Sequence, residues 1–127
     1  MKRILSLFLI IGVAFIVGCG SSSSSGSSFD SDLIGTWTMD ISGTTVTLTV
    51  TDGAYSISYS GICSSESESG TMTASGGTYT MTVTASVTGT CSSQNPGDSD
   101  TGTYSISGTT LTIVDSQSDT LVFTRSA

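Results

Sequence analysis

The chain has 127 residues, a formal charge of −7 at neutral pH and no histidine. That length fits one small domain. The acidic balance excludes the basic footprint that nucleic-acid binding requires, and the missing histidine removes the commonest general base and metal ligand.

At the start of the chain, Lys2 and Arg3 precede an apolar run from Ile4 to Val17, and small Gly18 stands directly before Cys19. The run is about 14 residues, short of the roughly 20 that span a bilayer. Its charged start, apolar middle and small residue before the cut are the parts of a secretory signal, so cleavage is expected over a permanent anchor. Ile16-Val17-Gly18-Cys19 resembles the lipobox of bacterial lipoproteins. That resemblance implies a signal peptide over 1–18. It makes Cys19 the mature N-terminus, acylated on sulfur and amine by chains such as palmitate. Two acyl chains hold a protein stably at a membrane where one is marginal. The resemblance also implies a lipid-anchored place in the cell envelope. Gly20, where Asp would favour inner-membrane retention, points to the outer membrane. The alternative is an ordinary secretory signal with a chance cysteine.

Residues 20–28 are only Gly and Ser, which behave as a flexible tether with a reach of roughly 15–18 Å. With Cys19 they form a linker over 19–28, ahead of a domain over 29–127. Removal of the leader takes Lys2 and Arg3 with it. One basic side chain, Arg125, then faces all ten acids, a balance that keeps the chain soluble and argues against flat contact with anionic lipid.

The body alternates with period two. Val46, Leu48 and Val50 stand between threonines, Tyr55, Ile57 and Tyr59 between serines, and Tyr79, Met81, Val83, Ala85 and Val87 between Thr and Ser. Alternation with β-branched Thr on the polar face predicts strands, over 36–42, 44–51, 54–61, 69–75, 78–88, 101–107, 109–115 and 120–126. Ser42-Gly43, Asp52-Gly53, Gly76-Gly77 and Gly108 supply hairpin turns. The predicted fold is all-β: an up-and-down meander of about eight antiparallel strands closing into a small barrel, which removes sheet edges. A β-sandwich of the same strands is the alternative. Cys63 and Cys91 are an even pair in an oxidising compartment, so a disulfide is expected. In the meander both fall in loops at one end, the mouth, where the long connections lie. A two-cysteine metal site is the weaker reading. At the other end, the floor, closure sets Trp37 on strand 1 beside Arg125 on strand 8, in reach of a cation–π contact.

Gly35-Thr36-Trp37 and Arg125 resemble the Gly-x-Trp and late-strand Arg of the lipocalin-like family. Leu33-Ile34-Gly35-Thr36-Trp37, Gly102 to Gly108 and Thr110-Leu111-Thr112-Ile113 are similar to small bacterial lipocalin-like lipoproteins. The resemblance implies a lipocalin-like barrel over about 33–126. The body is much shorter than a full lipocalin, and Ser42-Gly43 is too short for a lid.

No lysine or histidine remains to activate a nucleophile and no carboxylates pair recognisably, so the chain reads as a non-enzyme without cofactor. Asp98-Ser99-Asp100, with Asn95 and Gly97, has oxygen-ligand spacing for calcium but lacks the complete loop. A solvated turn is expected there, and no metal. The main expectation is a binding module for a small apolar or aromatic ligand, contacting inward Tyr55, Tyr59, Tyr79, Met81 or Tyr104. The alternative is a protein-interaction or envelope-structural lipoprotein. Its mouth, carrying Asp40, Glu66, Glu68, Asp98, Asp100, Asp115 and Asp119, would meet a basic partner.

Overall fold

The computed structural model describes residues 29–126. The expected signal peptide, Cys19 and the expected tether lie outside the described residues. Eight strands follow in chain order: β1 (Gly35–Ile41), β2 (Thr44–Thr51), β3 (Ala54–Tyr59), β4 (Ser67–Ser75), β5 (Thr78–Val87), β6 (Ser99–Ser107), β7 (Thr110–Val114) and β8 (Thr120–Arg125). Each pairs antiparallel with the next, and β8 returns to β1 to close the barrel. The meander is therefore a barrel and not a sandwich.

The alternation sets the register. On β2, Val46, Leu48 and Val50 are buried while the threonines between them are half-exposed. A slip of one residue would expose that whole set. Turn residues with positive φ, Ser42-Gly43, Gly76-Gly77 and Gly108 among them, reverse the chain tightly.

The closing seam is short. Registered pairing between β1 and β8 covers Trp37–Arg125 and Thr38–Thr124, supported by the Ser126 N–H donating to the Thr36 carbonyl at 2.8 Å. Nearer the mouth the two strands are not in register, and their inward residues Met39, Ile41, Leu121 and Phe123 border a cavity.

The floor is packed as the sequence suggests. Trp37 is fully buried, its Nε1–H donates to the Leu33 carbonyl at 2.9 Å, and the Arg125 guanidinium lies 4.2 Å from its ring centroid. Arg125 also donates to the Ile34 and Asp32 carbonyls, which belong to the 3-10 turn Ser31–Leu33 and its exit. Gly35 has φ +147°, and a Cβ there would sit 2.8 Å from Arg125 Nη1. Glycine is needed at that position for the arginine to reach over the tryptophan.

Two strands begin two residues earlier than the alternation alone predicts: β4 at Ser67 rather than 69, and β6 at Ser99 rather than 101. The added residues include Glu68 and Asp100, both of which turn inward and are buried. Tyrosine hydroxyls inside the barrel supply the hydrogen bonds that make this burial tolerable.

Candidate binding cavity at the mouth

The β3–β4 and β5–β6 connections meet over the mouth. A disulfide joins Cys63 and Cys91, whose Cα atoms are 5.9 Å apart. Glu66 is the second fastening. Its carboxylate accepts the backbone N–H groups of Thr90 and Cys91, each at 2.7 Å, and of Ser92. Three convergent amides hold a carboxylate strongly because each bond is charge-assisted. The loop is thereby folded back over the barrel, and Ser92 and Gln94 are buried. The lid that the short first turn could not supply comes from this loop.

Beneath it lies a cavity of about 70 Å³. Met39, Ile41, Val46, Leu48, Ile57, Met81, Ile113 and Leu121 supply its aliphatic and thioether lining, Tyr59, Tyr79 and Phe123 its rings, and Cys91 to Gln94 its cover. Glu68 is the one acidic residue in the lining, with 4% of its surface exposed. An apolar cavity of about 150 Å³ holds a benzene molecule. By that scale this space encloses about three heavy atoms.

Behind the apolar lining runs a layer of buried acids and phenols. The Tyr55 hydroxyl donates to Glu68 Oε1 at 2.7 Å. The Tyr79 hydroxyl donates to Asp100 Oδ2 at 2.6 Å, and the Ser116 hydroxyl to Asp100 Oδ1 at 2.8 Å. Asp115 Oδ1 accepts the Gln117 and Asp119 N–H groups, both at 2.9 Å, while its Oδ2 is buried without a hydrogen-bond partner. Burial pushes the Glu68 carboxyl above its ordinary range; Asp100 and Asp98 push the same way, and the Tyr55 hydroxyl opposes them. Asp115 is likewise raised by burial and by Asp100 and Asp119, against the two backbone N–H bonds. Burial, then the neighbouring carboxylates, raises Tyr55, Tyr59 and Tyr79, so all three remain protonated.

Of the expected ligand contacts, Tyr59, Tyr79 and Met81 line the cavity. Tyr55 and Tyr104 do not. Tyr55 reaches the site through Glu68, whereas Tyr104 donates to Asp30 Oδ2 at 2.8 Å and helps hold the segment leading into β1. Burial and that bond push Tyr104 up to about 12.

The acidic mouth needs correction. Glu66, Glu68, Asp100 and Asp115 are buried, and only Asp40, Asp98 and Asp119 of that group keep appreciable exposure. The calcium spacing also dissolves: Asp98 Oδ2 accepts the Asn95 N–H at 2.8 Å in a turn, while Asp100 faces the interior. Among the described residues, the one cluster with ligand atoms close enough for a metal is Cys63, Glu66 and Cys91, where the disulfide and the three amides already engage those groups.

Sequence reasoning missed Glu68 and Asp100 as interior residues, although parity carried the signal. Glu68 is in phase with inward Met72 and Ala74, and Asp100 with Tyr104.

Fold and site together define a closed eight-stranded antiparallel barrel, with a mostly filled interior and a small apolar cavity under a stapled loop. Compared with protein-family models, curated proteins and solved structures, the chain matches none.

Proposed function

We propose that this is a lipid-anchored envelope lipoprotein whose lipocalin-like barrel is a non-catalytic binding module for a small apolar group. The supporting observation is the mouth-end cavity of about 70 Å³, lined almost wholly by apolar side chains. Well-packed interiors leave few voids larger than a water molecule, so a space of this size and lining suits an occupant. Ligand sites for drug-sized molecules run to about 300–1,000 Å³. The occupant here is therefore a small molecule, or the narrow end of a larger one. In this reading the signal-like leader and Cys19 supply the membrane attachment; the described chain starts at the floor, where the Asp30 N–H donates to the Ala74 carbonyl at 2.9 Å, so the mouth is directed away from the lipid.

Two measurements test this reading. Mass spectrometry of the mature protein should find an acylated Cys19, and Cys19→Ser should move the protein out of the membrane fraction. Methyl NMR of Met39 and Met81, titrated with a set of small apolar fragments, should show saturable shifts. Those shifts should vanish in Ile113→Phe, which fills the space. An unacylated N-terminus refutes the anchoring; methyl signals unmoved by every fragment refute the binding module.

A further inference from the structure

Glu68 is an unusual wall for an apolar cavity. A buried carboxylate is stable only when paired or hydrogen-bonded, and a lone one is strongly disfavoured in its charged form. Tyr55 supplies one donor, to Oε1. Among the described residues, no cation lies beside it. Arg125 is the only basic side chain among the described residues, and it lies at the floor, its guanidinium on Trp37 and its N–H groups on the Asp32 and Ile34 carbonyls. Asp100 and Asp98 add negative potential at Glu68, and Glu66 adds more at the neighbouring Tyr59. The rings of Tyr59, Tyr79 and Phe123 border the same space, and aromatic rings favour cations through their quadrupole.

These features exclude anions by repulsion and give a neutral apolar occupant nothing to exchange for the desolvation of Glu68. Resting on the binding-module reading above, we infer that the occupant is a small organic cation, an ammonium group with a short hydrocarbon body, for which Glu68 is the counter-ion. The cavity volume limits the enclosed part to about three heavy atoms on the benzene scale, so a larger amine would leave its remainder in the loop opening. Because burial favours protonated Glu68, binding is linked to loss of that proton, and affinity rises with pH. The other titratable groups facing Glu68 are Tyr55 and Tyr59 from β3, Asp98 from the loop and Asp100 from β6. The tyrosines, all raised, hold their protons across the working range.

Three probes of similar shape separate the possibilities: isobutylammonium, isobutanol and isobutyrate, titrated into the full chain in detergent while the methyl signals of Met39 and Met81 are followed. The expected result is saturation by the amine at a concentration at least tenfold below that of the alcohol at pH 8, weaker amine binding at pH 5, and no binding of the acid. Glu68→Gln should bring the amine to the level of the alcohol. Should that variant not fold, Tyr55→Phe replaces it. Loss of the hydroxyl that favours ionised Glu68 should weaken the amine at pH 7 and move its pH dependence upward. Equal binding of alcohol and amine, or preference for the acid, overturns the cation assignment and leaves the small apolar site standing. Failure of all three probes to move either methyl overturns both.

Discussion

Replacing Arg125 with alanine tests the floor. The guanidinium rests on the Trp37 ring at 4.2 Å and donates to two carbonyls of the segment before β1. A cation–π contact at a partly exposed site is worth about 1 kcal/mol. Two hydrogen bonds add about 0.5–1 kcal/mol each, the low end of the range because the site is open to water. Loss of the aliphatic stem also uncovers part of a fully buried tryptophan. The sum is about 2–3 kcal/mol, and for a domain of this size each kcal/mol lowers Tm by about 4–8 °C. A fall of roughly 10–20 °C is expected. Trp37 is the only tryptophan in the chain, so its fluorescence reports both unfolding and the local change, and its emission should shift to the red in the folded variant. Arg125→Lys should fall between, keeping the charge but losing the planar fork. A Tm change under about 3 °C with unchanged emission would show that the arginine is surface decoration and that the seam is held by backbone pairing alone.

The mouth carries two further expectations. Cys63→Ser with Cys91→Ser opens a loop closed over a sequence separation of 28, worth roughly 3–4 kcal/mol in the chain-entropy model; urea unfolding should show that loss with the strand signal in circular dichroism retained, because Glu66 still holds Thr90 to Ser92. A midpoint equal to that of the parent would remove the disulfide from the stability argument. Glu68 and Asp115 have raised carboxyl pKa values in the folded state, so folded protein binds more protons than unfolded between the ordinary carboxylate range near 4 and those raised values. Stability therefore falls as pH rises through that window. Calorimetry should give a higher Tm at pH 5 than at pH 8, with a flatter slope in Glu68→Gln. A Tm that rises toward pH 8 would contradict the burial of these acids.

Strand alternation was enough to predict the wall. In stretches such as Val46 to Val50 and Tyr55 to Tyr59, only one face is apolar, and the tight Gly-containing turns leave few ways to join them. The cysteine pair and the Trp37–Arg125 contact follow from the same topology, since an antiparallel meander assigns each loop to an end and closure brings the last strand to the first. Composition misled at Glu66, Glu68, Asp100 and Asp115. Acids near turns read as solvated rim, yet three of them accept donors inside the barrel or from the covering loop, and Asp115 accepts two backbone N–H groups at the same end.

Local sequence thus determined the strands, the turns and the order in which they pair, because those depend on the alternation within each strand and on the short turns that join consecutive strands. Only the closed barrel decided what fills its interior. Whether a carboxylate is buried depends on a tyrosine hydroxyl from another strand, as with Tyr55 and Glu68 thirteen residues apart or Tyr79 and Asp100 twenty-one apart. Whether a cavity remains depends on how side chains from β1, β2, β3, β4, β5, β7 and β8 fail to meet under the Cys91–Gln94 cover, and no local pattern of residues records that sum of volumes.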